Sequence, residues 1–181
     1  MAHALQKKIC LLGVFAVGKT SLVARYVLGK FSDRYLATLG VKIDRKVVYA
    51  NGREVSLLVW DMAGEDEFSK VNLSYLRGAA GYVLVLDGTR RITVSQTLVL
   101  QQKVLETVGP IPFVVMLNKA DLESEWEITQ ADLKELKAQQ WEILKTSAKT
   151  GDGVEAAFAA LAARLVPEED SLGQTIERFS E

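Results

Sequence analysis

The sequence predicts an α/β fold, with a mostly parallel β-sheet and helices that connect its strands. Apolar runs of strand length alternate along the chain with longer stretches of helical periodicity, which is the pattern of parallel strands joined by crossover helices. The chain has 181 residues, 49% of them hydrophobic and 25% charged, as is usual for one globular domain. Its three prolines lie at positions 110, 112 and 167, so little interrupts regular structure before residue 110.

Six apolar runs are predicted as strands. They are Lys8–Leu12, Val41–Tyr49, Glu54–Asp61, Gly81–Asp87, Pro112–Asn118 and Glu142–Lys145. The first is almost entirely apolar, as a strand covered on both faces should be. Asn51-Gly52, between the second and third runs, is a strong signal for a two-residue hairpin turn. We therefore expect one antiparallel strand at the edge of the sheet.

Four stretches are predicted as helices. They are Lys19–Leu28, Thr93–Val108, Thr129–Gln140 and Val154–Leu165, the first of them closed by Gly29. The chain has no internal repeat and no low-complexity linker, so residues 1–166 are expected to form one domain. Residues 167–181 form a tail with five acidic residues and one basic residue. Three apolar residues in this tail have the spacing of an amphipathic helix. The tail is expected with equal weight to pack on the domain or to be disordered.

Composition excludes several classes of function. The chain has 22 Lys+Arg and 23 Asp+Glu, a net charge of −1, so no global charge favours a nucleic acid partner. The single cysteine, Cys10, excludes an internal disulfide framework and a multi-cysteine metal site, and its apolar neighbours predict a buried thiol. No apolar run approaches the ~20 residues of a membrane-spanning helix. With Ala2 and no C-terminal cysteine, neither myristoylation nor prenylation is available, and we expect a cytoplasmic monomer without a stable membrane anchor.

A phosphate-binding motif lies between the first predicted strand and the first predicted helix. Residues 13–20, GVFAVGKT, fit the pattern G-x-x-x-x-G-K-[ST]. The glycines let backbone N–H groups turn inward around phosphate oxygens, and the following helix presents the positive end of its dipole. Lys19 supplies a charge to the β- and γ-phosphates, and the Thr20 hydroxyl is a suitable ligand for Mg²⁺. The motif predicts a site for a nucleoside triphosphate.

A second segment that could bind phosphate and a metal ion follows the third predicted strand. Asp61 ends this strand, and a carboxylate at that edge of the sheet can hold a magnesium-bound water. Gly64, three residues later, can offer its N–H to a terminal phosphate without obstruction by a side chain.

The segment after the fifth predicted strand indicates which base is bound. It reads Asn118-Lys119-Ala120-Asp121. One carboxylate, that of Asp121, can accept from both the N1–H and the 2-amino group of guanine, whereas adenine offers no such pair of donors. The Lys119 stem can lie over the base while Asn118 ties neighbouring loops together. Residues 146–149, TSAK, follow the last strand and can supply a backbone N–H to the guanine O6.

Taken together, these motifs resemble those of a Ras-superfamily small GTPase. The resemblance covers residues 7–166, with five motifs in the family's order and spacing, and is nearest to Rab-like and Rho-like members over residues 60–77. It implies a three-layer P-loop NTPase fold with a six-stranded mixed sheet flanked by five helices. It also implies cycling between GTP and GDP with Mg²⁺, and recognition of the switch segments by protein effectors and regulators.

The resemblance extends to individual residues. Thr38 resembles the switch threonine that reaches Mg²⁺ only with GTP bound, and Phe31 and Tyr35 match aromatics that edge the base and cover the phosphates. The implied metal ligands are Thr20, Thr38 and Asp61, and the implied catalytic residues are Lys19, Thr38 and Glu65. The implied nucleotide-binding residues are Phe15, Ala16, Val17, Gly18, Lys19, Thr20, Ser21, Phe31, Tyr35, Thr38, Gly64, Asn118, Lys119, Asp121, Leu122, Ser147, Ala148 and Lys149.

The sequence departs from the family at two positions near the reaction. Phe15 stands where the family usually has glycine, and Glu65 where it usually has the glutamine that orients the attacking water. Slow hydrolysis is therefore expected, and an almost permanently GTP-bound recruitment module is the competing hypothesis. A third, an ATP-using kinase, is disfavoured by Asp121 and the absence of a recognisable lid. Alternatively, the chain supplies its own catalytic cation, Arg34, which Glu65 would orient.

Overall fold

Six strands pair into one mixed sheet in the computed structural model, which describes residues 5–34, 37–64 and 72–166. The strands are β1 (Leu5–Leu12), β2 (Val41–Ala50), β3 (Arg53–Met62), β4 (Gly81–Asp87), β5 (Phe113–Asn118) and β6 (Ile143–Lys145). Their order across the sheet is β2-β3-β1-β4-β5-β6. Every neighbouring pair is parallel except β2 and β3, so β2 is the expected antiparallel edge strand.

Helices cover both faces of this sheet. They are α1 (Lys19–Leu28), α2 (Ile92–Val108), α3 (Gln130–Ala138) and α4 (Val154–Leu165), with 3-10 helices at Leu73–Leu76 and Ala120–Glu125. Successive residues of a strand point to opposite faces, and in β1 Ile9 joins the apolar cluster under α1 and α4, whereas Cys10 joins the cluster under α2 and α3. The three-layer α/β fold with a six-stranded mixed sheet is confirmed.

The predicted elements agree closely with the observed bounds. β4, α1 and α4 begin and end where the sequence predicts. β1 begins at Leu5 instead of Lys8, because Leu5 and the two residues after it already pair with β3. α3 ends at Ala138, two residues before the predicted end, and Gln140 has a φ of 59° that a helix does not allow. Among the described residues, no helix has the length and apolarity to cross a bilayer.

The hairpin between β2 and β3 follows from its turn residues. Asn51 and Gly52 have φ values of 50° and 75°, as a two-residue turn between right-twisted strands requires. The turn joins Ala50 to Arg53, which face each other in the ladder.

The parallel strands bring the motifs to one edge of the sheet. β1, β3, β4 and β5 all end there, and each is followed by a loop that carries polar or glycine residues. Ligands of open α/β sheets bind at this carboxyl edge. Of the predicted residues, Tyr35, Glu65 and the tail 167–181 lie outside the described part of the chain.

Candidate functional site

A cleft of about 550 Å³ opens at the carboxyl edge of the sheet. This volume lies within the range of small-molecule sites. Most of the predicted nucleotide-binding residues line it: Phe15, Ala16, Gly18, Lys19, Thr20, Ser21, Phe31, Thr38, Gly64, Asn118, Lys119, Asp121, Leu122, Ala148 and Lys149. Segments that are more than 100 residues apart in the sequence therefore share one cavity wall.

In the described part of the chain, three predicted site residues do not line the cleft. Val17, Asp61 and Ser147 are all buried. The Val17 carbonyl accepts a hydrogen bond from Asn118 Nδ2 at 2.9 Å, and the Ser147 hydroxyl donates to Asp121 Oδ1 at 2.6 Å. These two residues therefore support residues of the wall, and Asp61 lies beside the Thr20 hydroxyl.

Other residues line the cleft without having been predicted. They are Ala24, Ser32, Asp33, Ala37, Leu39, Met62 and Ala63, together with Arg34. For Arg34 the sequence predicts only an alternative role as a catalytic cation. Several of them are small or apolar, so no chemical pattern marks them. Their only sequence signal is that each lies within a few residues of a motif.

Close packing explains the glycines of the phosphate loop. A Cβ atom on Gly13 would lie 2.6 Å from the Val85 carbonyl oxygen, and one on Gly18 would meet the Asn118 amide nitrogen. Gly18 also has a φ of 100°, which side chains disfavour. The loop can follow this path only with glycine at both positions.

Lys19 is a buried cation at the start of α1. Its side chain is enclosed, and Nζ donates to the carbonyl oxygens of Gly13 at 2.8 Å and Val14 at 3.0 Å. Burial lowers the pKa of Lys19 to about 8; the Asp61 carboxylate opposes this shift and the Arg90 guanidinium adds to it. Together with the free N–H groups at the start of α1, this ammonium favours an anion at the loop.

Three oxygen-bearing side chains meet beside the phosphate loop. Thr20 Oγ1 lies 2.6 Å from Thr38 Oγ1 and donates to Asp61 Oδ2 at 2.5 Å, and Thr38 Oγ1 lies 3.4 Å from the same carboxylate oxygen. Asp61 Oδ1 is buried and has no hydrogen-bond partner among the described residues. Burial raises the pKa of Asp61, against the effect of Thr20, Lys19 and Thr38. An all-oxygen donor set with an unsatisfied carboxylate oxygen fits a hard cation such as Mg²⁺.

The segment after β3 packs against two other parts of the site. The Ala63 N–H donates to the Gly40 carbonyl at 2.9 Å, which links it to the start of β2. A Cβ atom on Gly64 would lie 2.7 Å from both Cα and N of Phe15. Gly64 thus lets the segment lie directly on the phosphate loop.

Asn118 connects three loops around the base end of the cleft. Its side chain is buried, and it donates to Val17 in the phosphate loop. Its Oδ1 accepts from Thr146 Oγ1 and from the Ala148 N–H, both at 3.3 Å. Arg25 of α1 adds a further link, donating to the Ala148 carbonyl at 2.8 Å.

Other residues of the protein contact the two side chains that are predicted to bind the base. Asp121 lines the cleft and accepts from the buried Ser147 hydroxyl. Lys119 has a φ of 67°, and its ammonium pairs with Asp87 Oδ2 at 2.6 Å. Contacts within the protein therefore hold both side chains in place.

Comparison with known proteins agrees with this arrangement. The family model "Ras family" matches residues 8–167. The chain is 34% identical to Ras-related protein Rab-4 of Dictyostelium discoideum over 91% of this chain and 81% of the relative. It is 36% identical to Ras-related protein Rab7 of Drosophila melanogaster (86% and 78%) and 35% identical to human Ras-related protein Rab-4B (91% and 78%). The chain belongs to the Ras family of small GTPases, switch proteins that bind GTP and hydrolyse it.

Proposed function

We propose that this chain holds GTP or GDP with Mg²⁺ in the cleft and hydrolyses GTP slowly by water. The observation that carries the proposal is the convergence of the five motif segments on one cavity, with the hydroxyls of Thr20 and Thr38 at the Asp61 carboxylate. Residues 1–166 form the GTP-binding domain and residues 167–181 an acidic tail outside it.

One end of the cleft binds the phosphates of the nucleotide, and the other end binds its base. The buried ammonium of Lys19 and the N-terminus of α1 suit the phosphates, because both offer positive charge in a concave loop. The Asp121 carboxylate can accept hydrogen bonds from the N1–H and the 2-amino group of guanine. Phe31 also lines the cleft. A base without these donors would leave the Asp121 carboxylate without a partner on the base, so adenine is rejected.

Thr20, Thr38 and Asp61 are the residues that would hold Mg²⁺. When bound, the ion neutralises charge on the β- and γ-phosphate oxygens. The carboxylate of Asp61 adds a buried negative charge, and its unpaired Oδ1 would be satisfied by the ion or by one of its waters.

Hydrolysis needs a water in line with the bond to be broken. The water oxygen bonds to the γ-phosphorus while the bond from that phosphorus to the β,γ-bridging oxygen breaks, giving GDP and phosphate. Glu65 would accept a proton from the water, but its negative charge would oppose that of the γ-phosphate, so a carboxylate here is a poorer orienting group than an amide. Phe15 lines the cleft and occupies space that glycine would leave open for an activator's arginine. Both features make hydrolysis slow.

The switch depends on the γ-phosphate. Thr38 and Gly64 lie at the cleft on two segments that the Ala63–Gly40 hydrogen bond joins. A γ-phosphate would hold both segments in place, and its loss would release them, so protein effectors and regulators distinguish the two states.

A near-permanently GTP-bound recruitment module is the second candidate. The observation that favours it is Phe15, which is 38% exposed at the cleft in a loop where the family usually has glycine. Single-turnover hydrolysis separates the candidates, because the module would retain GTP without converting it.

Identification of the nucleotide that copurifies with the protein tests the proposed site. The purified chain is denatured and the released nucleotides are separated by chromatography. We expect GDP or GTP in nearly equimolar amount. Adenine nucleotides in comparable amount would contradict the assignment of the base site to guanine.

A further inference from the structure

Asp87 and Arg90 lie behind the cleft, between the loop that follows β1 and the loop that follows β5. Asp87 is the last residue of β4 and pairs in register with Asn118 of β5. Its side chain is completely buried, whereas that of Arg90 is 37% exposed. Neither residue is among those that line the cleft, so both act on it only through other residues.

The carboxylate of Asp87 is fully engaged. Oδ1 accepts from the backbone N–H of Thr89 at 3.0 Å and from its hydroxyl at 2.7 Å. Oδ2 accepts from Arg90 Nε at 2.9 Å and pairs with Lys119 Nζ at 2.6 Å. Burial on its own would raise the pKa of Asp87, but the contacts from Lys119, Thr89 and Arg90 outweigh it and hold the pKa below its usual value. Asp87 is therefore an anion shared by two cations.

Each of the two cations connects Asp87 to a different loop of the site. Lys119 belongs to the loop that carries Asp121 and lines the cleft itself. Arg90 donates from Nη2 to the Phe15 carbonyl in the phosphate loop at 2.7 Å, while its Nε remains on Asp87. The planar guanidinium fork allows both bonds at once. A continuous chain of contacts thus runs from Phe15 through Arg90 and Asp87 to Lys119.

We infer that Asp87 and Arg90 are positioning residues that hold the phosphate loop and the base-reading loop at a fixed separation and so slow the release of nucleotide. A ligand held at both ends gains full affinity only if the two loops already match its length. Loss of Arg90 removes the contact at Phe15 and leaves the hydrogen bond from Asn118 to Val17 in place, so the part of the phosphate loop around Phe15 must be ordered again on each binding event. The inference rests on the proposed nucleotide site.

The test is the dissociation rate of a fluorescent GDP analogue from the full chain, chased with excess GDP. Arg90→Ala is expected to release the analogue about tenfold faster, which corresponds to ~1.4 kcal/mol. Arg91→Ala is the matched control, because the neighbouring Arg91 likewise pairs with an aspartate, Asp132, but contacts neither loop through this pair. Its dissociation rate should remain within twofold of wild type. Arg90→Gln, which keeps the aliphatic base of the side chain but removes the guanidinium and its charge, serves if the alanine variant does not fold.

A second readout separates positioning from a change in base recognition, while Arg91→Ala controls for a general loss of stability. The base-specific contact of Asp121 remains in Arg90→Ala, so GDP and IDP should be released faster by the same factor. An acceleration of GDP release below threefold, or one that Arg91→Ala matches, would overturn the inference. Wild-type protein that retains no guanine nucleotide would instead contradict the proposed site itself.

Discussion

We expect the choice of base to depend on Asp121. The Ser147 hydroxyl donates to its carboxylate at 2.6 Å and so holds it in a set orientation at the cleft. Asp121→Asn exchanges an acceptor for a donor that meets the 2-amino group of guanine. We expect GTP affinity to fall on the order of 10⁴-fold, as it does when buried polar groups are left unpaired, while xanthosine triphosphate gains.

Competition binding with GTP, XTP and ATP measures this change. Glu155→Gln is a suitable control, because it removes one exposed carboxylate that pairs with Lys46, away from the cleft. If Asp121→Asn retained its preference for GTP over XTP, Asp121 would not be the group that reads the base.

α3 is an element whose start depends on one carboxylate. The Asp132 carboxylate accepts from the Thr129 N–H at 2.7 Å, and the Thr129 hydroxyl accepts from the Asp132 N–H, which together form a capping box. The hydrogen bonds from Arg91, and then those from Thr129, hold the pKa of Asp132 well below its usual value. A carboxylate with a lowered pKa stabilises the fold above its unfolded pKa, and this stabilisation is lost as the pH falls toward its folded pKa.

Asp132→Asn is therefore expected to unfold at a lower temperature than wild type at neutral pH. The difference in unfolding temperature should be constant above about pH 5. It should shrink below about pH 4, because the Asp132 carboxylate of the unfolded wild-type protein then becomes protonated. Thermal unfolding between pH 7 and pH 3 follows both proteins. A difference that is independent of pH would mean that the charge of Asp132 contributes nothing.

The segments around Thr38 and Gly64 are the elements that respond to the γ-phosphate in this account. The Ala63–Gly40 hydrogen bond joins them, so ordering one should protect the other. Backbone amides of residues 37–40 and 63–64 should exchange hydrogen more slowly with a non-hydrolysable GTP analogue than with GDP. Exchange on the two forms, with β4 as the internal reference, checks this. Equal protection would leave a static binding module.

Some elements and site residues could be predicted from local pattern, and others could not. The glycines at 13 and 18, Lys19 and Asp121 carry chemistry that their neighbours make recognisable, and apolar periodicity placed the strands that bring them together. Arg90 and Arg91 are adjacent and alike in sequence. Only the fold sends Arg90 to the Phe15 carbonyl and Arg91 to Asp132, since the difference arises from side-chain direction across sequence separations of 75 and 41 residues.

At the scale of the whole molecule, we expect Phe15 and Glu65 to set the rate of hydrolysis. Glu65→Gln should raise the single-turnover rate modestly, because a neutral amide replaces a charge beside the γ-phosphate. Phe15→Gly should change it little without an activator. A slower Glu65→Gln protein would contradict this and support the alternative in which Glu65 orients a cation of the chain, with Arg34 at the cleft as the candidate. Arg34→Ala would then be equally slow.

The central claim is that one cleft selects guanine nucleotide and converts GTP to GDP. Its most direct test presents the purified wild-type chain with equal amounts of GTP and ATP in the presence of Mg²⁺, and follows bound nucleotide and released phosphate by chromatography through one turnover. We expect that only GTP is retained, that GDP and phosphate appear slowly in equal amounts, and that EDTA stops the conversion. Retention of ATP, or of GTP that is never converted, would contradict it.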